Sequence, residues 1–393
     1  MTRDAHLILV GGGLLAAGVI ASLVAARLRL PALVLFLGVG MAIGSDGLGW
    51  IYLDDYALAR FVGTVALLVI LFEGGLATGL RALRPVLGSA VSLATVGTAA
   101  TALVAGVCAH WLLHLSVAEG LLLGAILSPT DGAAVFALLR GASLGRSLTR
   151  TLEGEAGFND PVAVVLVLVM IEVIGHPGYS AAHAVWFFVR ELGVGLIVGA
   201  LAGTLAVPAL RRIGNAMPGT ALVATFATAA IAYGAAGSLQ GSGFLAVYVA
   251  ALRLGDAGLP QRSAVLAFHE GLAAVAEMGM FLTLGLLVFP SRLGGVALRG
   301  TVLALLVVFA ARPLGVWAAT LRGRLAPRER VLIAWAGLRG GVPVVLATLP
   351  VLAGVRGSVH FFDLVFFAVL VSTLVQGATV EWVARRLALA APS

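Results

Sequence analysis

Apolar residues run along this chain in long blocks, separated by short polar connections in which arginine recurs. A helix needs about 20 apolar residues to cross the hydrocarbon core, and blocks of that order predict about thirteen transmembrane helices. Their approximate bounds are 5–26, 31–46, 58–77, 86–113, 118–140, 152–175, 184–210, 219–236, 243–255, 268–289, 295–320, 329–351 and 361–385. The second and ninth blocks are short. The first is followed, not preceded, by the basic pair Arg27 and Arg29. A cleavable signal has the opposite order, so this block is read as a retained first helix.

The arginines alternate with the spans. Arg27/Arg29, Arg81/Arg84, Arg140/Arg146/Arg150, Arg211/Arg212, Arg253/Arg262, Arg322/Arg324/Arg328/Arg330 and Arg385/Arg386 follow odd-numbered spans, whereas the other connections hold few: Arg292, Arg299 and Arg356. The positive-inside rule then predicts an outside N-terminus and a cytoplasmic C-terminus. An odd span count fits two inverted six-helix repeats, spans 1–6 and 8–13, joined by a linking helix. The fifth span is interrupted at Ser128-Pro129-Thr130-Asp131-Gly132 and the twelfth at Gly337 to Pro343. Paired interruptions in corresponding halves of a transporter point to a binding site near the bilayer midplane.

Composition agrees with this reading and narrows it. The 393 residues are 61% hydrophobic and 11% charged, more apolar surface than a soluble core requires. The net charge of +7 comes from arginine alone, since the chain has no lysine. Scattered between apolar spans, these arginines suit a membrane surface and not nucleic acid. A single cysteine, Cys108, excludes a disulfide framework and a cysteine-rich metal site.

A few charges fall inside the apolar spans: Glu73, Asp131, Glu155, Asp160, Glu277, Arg312 and Arg339. Each costs at least about 2.5 kcal/mol at depth unless paired, hydrated or ion-bound. Pro129 removes a backbone donor beside Asp131, which predicts an opened helix whose freed carbonyls, with the Asp131 carboxylate and Thr130, suit a hard monovalent cation. The alternative is a proline-kinked helix with Asp131 facing a loop. Asn159 and Asp160 lie about a third of the way into span 6, and Glu155 shares a helix face with Asn159. The alternative for Asp160 is a helix N-cap before Pro161, which leaves a span of only about fourteen residues. Arg312 and Arg339 keep their protons and read as structural clamps. Glu277 stays ambiguous, near an access funnel. The histidines lie near loops or, for His110 and His269, near span ends. Gly195, Gly199 and Gly203 read as close helix packing. Without lysine or a mid-span histidine, carboxylates alone can titrate in the membrane core. Burial favours the protonated acid and a nearby cation favours the ionised one, so one site can hold a proton or a cation but not both.

Six motifs, in order, carry a resemblance over nearly the whole chain: LFEGGL around Glu73, GAILSPTDGAAVFALL (124–139), EGEAGFNDPVAV (153–164), LQGSGFLAVYVAAL (239–252), FAARPLGV (309–316) and WAGLRGGVPVVLA (335–347). Together they resemble the cation:proton antiporter-1 family, the NhaP-type exchangers, and within it the bacterial potassium/proton antiporters of the CvrA type. The resemblance implies a thirteen-helix fold in which a core bundle moves against a dimerisation domain. The core-type spans would be about 86–175 and 295–386, and the scaffold spans about 5–77 and 184–289. It implies that Asp160 carries the ion or proton and Asn159 orients it, with Thr130, Asp131 and Glu73 contributing. Asp160 and Thr130 would be the ligands of the monovalent cation. Glu155 would pair with Arg312, and Arg339 would be the arginine of the second broken helix. Asn-Asp in place of the Asp-Asp of the electrogenic branch suggests electroneutral exchange.

One departure concerns the site: the family commonly has Ser where this chain has Ala156, which removes a candidate ligand oxygen. Another is length. Several such exchangers continue into a cytosolic regulatory domain, whereas this chain ends soon after Arg386; the expectation is a single transmembrane domain over 1–393. The expected protein is an all-α, multi-pass antiporter of a bacterial inner membrane, a homodimer, exchanging K⁺ or Na⁺ for H⁺, with K⁺ favoured. It is not an enzyme, has no cofactor beyond the transported ions, and has no nucleic-acid partner. A passive cation channel is the rival of another class. An intramembrane aspartyl protease using Asp131 and Asp160 lacks its Gly-x-Gly-Asp element, because Arg253 precedes Leu254-Gly255-Asp256. A serine protease at Gly241-Ser242-Gly243 lacks a partnered histidine in a span.

Overall fold

A computed structural model of the chain describes residues 3–28, 31–131, 144–176, 178–321, 323 and 325–389. The second half of the expected fifth span, with Gly132 and Arg140, lies outside the described residues, as do Arg29, Arg322 and Arg324. The described elements are all helical: α1 (Arg3–Leu28), α2 (Ala32–Ile43), α3 (Tyr56–Thr78), α4 (Leu80–Leu113), α5 (Val117–Ile126), α6 (Arg146–Gly175) and α7 (Ala181–Ala216). They continue with α8 (Pro218–Ser238), α9 (Gly243–Gly255), α10 (Arg262–Leu286), α11 (Pro290–Thr320), α12 (Pro327–Trp335), α13 (Gly341–Leu352) and α14 (Ser358–Arg386). Among the described residues nine helices are long and apolar enough to cross a membrane, and α2, α5, α9 and α13 are shorter apolar helices.

Short polar signals start these helices. Asp55 accepts the Leu58 N–H at 2.9 Å at the head of α3. Ser116 and Glu119 close a capping box on α5, and Ser242 accepts the Leu245 N–H at 3.3 Å on α9. Pro218, Pro290 and Pro327 occupy first helical positions, where the missing N–H costs nothing. Inside α4 and α11 the backbone widens into single π turns, Leu93–Gly97 and Val307–Ala311. The second lies directly before Arg312, and π bulges gather at functional positions.

The helices pack in two groups. In one, α4, α5, α6, α11, α12, α13 and α14 surround the interruptions; in the other, α1, α2, α3, α7, α8, α9 and α10 pack together. The groups meet where α3 lies on α6 and α13, and where α9 lies on α6. Gly195, Gly199 and Gly203 let α7 close on α9: a Cβ at Gly199 would fall 2.4 Å from the Ala246 carbonyl oxygen. Large side chains such as Ile197, Leu205, Ile231 and Leu298 stay exposed, as expected of surfaces that meet lipid and not water.

Apart from the interruptions, most described helix ends lie within about five residues of the expected bounds, and four differ by six: α4 starts at Leu80, α6 at Arg146 and α10 at Arg262, and α7 ends at Ala216. The helix expected over 268–289 starts six residues earlier, at Arg262. The added residues begin with Arg262 and Ser263, and Ala264, Val265, Leu266 and Ala267 carry the apolar block back from Phe268, so the expected start falls too late. His269, read as a span-end residue, is therefore fully buried within the helix.

Candidate functional site

Both interruptions occur, and they meet. Helix α5 ends at Ile126, and after a last bond from the Ser128 N–H to the Ala125 carbonyl, residues 128–131 continue outside any helix. Helix α12 ends at Trp335 and α13 begins at Gly341. Across the gap the Asp131 N–H donates to the Leu338 carbonyl at 2.8 Å, so the two unwound stretches pair through the backbone. Arg339 reinforces the crossing: its Nη1 donates to the Pro129 carbonyl at 3.1 Å, with the side chain fully buried. Gly340 presses on Asp131, since a Cβ there would fall 1.7 Å from Asp131 Oδ2. Buried backbone groups outside a helix need internal partners in a bilayer, and these contacts supply them. Asp131, half-buried, is thus tied to the second interruption through its backbone N–H.

Helix α6 passes this crossing unbroken. It runs from Arg146 through Asp160 and Pro161 to Gly175, with Gly145 as its N-cap. Asp160 is therefore not a helix cap. The turns before it carry Glu155 and Asn159 to the same side. Asn159, fully buried, donates through Nδ2 to Thr130 Oγ1 at 2.6 Å, which ties α6 to the first interruption. Asp160 is buried next to it, within electrostatic reach of the Asp131 carboxylate. Among the described residues, Asp160 Oδ1 and Asn159 Oδ1 are buried oxygens that meet no hydrogen-bond donor. Two such oxygens on adjacent residues, beside the Thr130 hydroxyl, form a donor set for a hard cation or a proton.

A buried ion pair braces the other flank. Glu155 Oε1 and Arg312 Nη2 lie 2.6 Å apart, each side chain 1% exposed. Arg312 also donates to the Ile333 carbonyl at 3.2 Å, near the C-terminal end of α12, where carbonyls lack helical partners. Glu73 sits half-buried on α3. It takes no part in the Asn159–Thr130 or Arg339–Pro129 bonds, although α3 packs against both α6 and α13. Glu277 is half-buried on α10 and Ala156 half-buried on α6.

Three polar residues of α14 were not singled out from the sequence. Thr373 Oγ1 donates to the Arg339 carbonyl at 2.7 Å. Gln376 Nε2 donates to the Trp335 carbonyl at 2.8 Å, and Gln376 Oε1 accepts from Ser372 at 2.6 Å. They satisfy the carbonyls that the second interruption frees. Their signal was available, as hydroxyl and amide residues three or four apart in an apolar span. His269 was also misjudged: its Nε2 lies 2.8 Å from Thr225 Oγ1, and its ring centroid 4.9 Å from that of Phe72.

The sequence and the fold both have relatives among known proteins. The family described as "Sodium/hydrogen exchanger, transmembrane" matches residues 13–386. The chain belongs to the sodium/hydrogen exchanger family. It is 41% identical over 380 residues to the K(+)/H(+) antiporter NhaP2 of Shewanella sp. strain MR-4, covering 96% of this chain and 66% of that protein. To the K(+)/H(+) antiporter NhaP of Alkalimonas amylolytica it is 38% identical over 387 residues, covering 98% and 67%. The chain thus spans about two thirds of the length of these relatives. Its fold is similar to that of the sodium proton antiporter MjNhaP1 from Methanocaldococcus jannaschii, with a TM-score of 0.81 at 25% identity over 98% of each chain. The chain is a multi-pass membrane protein.

Proposed function

We propose that this sodium/hydrogen exchanger family member is a secondary antiporter that exchanges a monovalent cation for a proton, one for one, at Asp160. The observation that carries the proposal is the pair of adjacent buried oxygens, Asp160 Oδ1 and Asn159 Oδ1, beside the junction of the two interrupted helices. A carboxylate in that place is too costly to move across hydrocarbon while empty and ionised. Protonated, or paired with a cation, it is neutral. The bundle therefore crosses only when Asp160 is occupied, and that condition couples the two ion flows. Asn159, locked to Thr130, sets the geometry; Asp131 adds field and Glu73 approaches from the facing helix group. The Glu155–Arg312 pair and Arg339 hold the interrupted helices and carry no ion.

The same reading makes α4–α6 and α11–α14 the moving core, and α1–α3 with α7–α10 the scaffold of a homodimer. On this reading the chain crosses a bacterial inner membrane thirteen times, with the arginine-rich connections and the C-terminus in the cytoplasm and the N-terminus outside. K⁺ is the favoured cation on likeness to the NhaP2 relatives. Na⁺ is the second reading, because MjNhaP1 and the Na(+)/H(+) antiporter ApNhaP of Aphanothece halophytica, 34% identical over 135 residues, are named for sodium.

The decisive test is Asp160→Asn in proteoliposomes with a trapped pH dye. Cation-driven dequenching is expected to vanish for every chloride salt added. Exchange near the wild-type rate would refute Asp160 as carrier, and cation flux without obligatory proton flux would establish a channel instead. Comparing KCl, NaCl and LiCl across a pH series separates the two cation readings.

A further inference from the structure

A second concentration of charge lies away from Asp160. A cavity of about 460 Å³ opens where the start of α4 meets the ends of α7 and α9. Arg81, Arg84, Arg211 and Arg253 line it, with Asp256 as the one acidic lining residue. All four arginines are exposed, so the cavity concentrates positive charge at an accessible surface. Its floor is built. Asp256 Oδ2 accepts the Arg81 N–H at 2.7 Å, which fixes the start of α4. Arg211 Nε donates to the Ala257 carbonyl at 3.2 Å. Arg253 donates through Nε and Nη2 to Thr204 Oγ1 at 3.3 and 3.2 Å. Each of these two guanidiniums has five N–H donors, so each keeps further donors while its fork is held in place.

We propose that this cavity binds the phosphate group of a phosphate-bearing anion. Guanidinium forks match phosphate oxygens in geometry and charge, and among the described lining residues Asp256 is the one carboxylate facing four arginines. Basic pockets between transmembrane helices are suited to anionic lipid headgroups. The flank favours that source: Leu201 and Leu205, on α7 beside Thr204, are 55% and 71% exposed, which gives acyl chains a surface next to the charge. A bound phosphate would bridge α4 to α7 and α9, members of the two helix groups described above.

The test is native mass spectrometry of the full chain in mild detergent, titrated separately with phosphatidylglycerol, phosphatidylcholine, inorganic phosphate and pyrophosphate. One phosphatidylglycerol should be retained at least tenfold more tightly than phosphatidylcholine, and the combined Arg84→Gln/Arg253→Gln substitution should erase that preference. Arg84→Gln alone, at an exposed position, should weaken it several-fold, and serves if the double variant aggregates. Arg84→Lys should keep most of it, because the charge remains. Tight retention of inorganic phosphate or pyrophosphate, lost in the same variants, would support the site and assign it to a soluble phosphate. Equal retention of the two lipids with no retention of either phosphate, or wild-type behaviour in Arg84→Gln, would overturn the proposal.

Discussion

Replacing Glu155 with Gln tests how the interrupted helices are held. At 2.6 Å between Glu155 Oε1 and Arg312 Nη2, an effective dielectric of about 20 gives a gross attraction of about 6 kcal/mol. Desolvating two ions costs several kcal/mol each, so the intact pair adds little net stability. Breaking it is another matter. Arg312 keeps its charge, stays 1% exposed and retains only the Ile333 carbonyl among the partners described above. An uncompensated buried charge costs about 3–5 kcal/mol. Glu155→Gln should therefore lower thermal stability in detergent markedly. The double substitution Glu155→Gln/Arg312→Met removes the stranded charge as well and should melt above Glu155→Gln. The assay is a double-mutant cycle of melting temperature, read by fluorescence-detected size exclusion. If Glu155→Gln melts with the wild type, or if the two substitutions are simply additive, the pair is not the brace inferred from its geometry.

Three further outcomes follow from particular contacts. Thr130→Val removes the acceptor of the buried Asn159 amide and should cost about 1–3 kcal/mol; Thr130→Ser should restore it, and a melting comparison decides. Gly340→Ala puts a methyl 1.7 Å from Asp131 Oδ2. One of the two segments must shift, and overpacking of this kind costs about 1–3 kcal/mol. Exchange in liposomes should fall by at least tenfold, and a wild-type rate would show that the crossing tolerates slack. Outside the spans, hydrogen bonds from the Ser291 side chain and backbone hold Asp46 below its ordinary carboxylate value. The folded value is depressed, so the tie is fully present above the unfolded value and is lost as pH falls through the folded one. Hydrogen exchange at the start of α11 should accelerate below about pH 4, and Asp46→Asn should flatten that response.

The one-dimensional pattern determined much of this protein. Spanning helices are legible because the bilayer demands about 20 apolar residues whatever the neighbours do. Both interruptions are legible because Pro129 and the Gly337–Pro343 cluster cannot continue a helix without loss. The in-span charges are legible because each is costly at depth unless paired, hydrated or ion-bound. What only tertiary structure decided is which of these groups meet. No local pattern distinguishes Asp160 as a helix cap from Asp160 inside a continuous α6, since the same Asp-Pro pair permits both. The packing of α6 against both interruptions settles it, through the bond from Asn159 to Thr130. Thr373 and Gln376 were overlooked because a hydroxyl or amide in a span is cheap when it bonds its own helix. It becomes important only opposite an unwound carbonyl, which the sequence does not locate. His269 was misplaced because its burial depends on Thr225 and Phe72, which two other helices bring against it. The arginine cavity gathers residues from connections far apart in the chain. Their sum of charge, and the single carboxylate among them, exist only once α4, α7 and α9 are side by side.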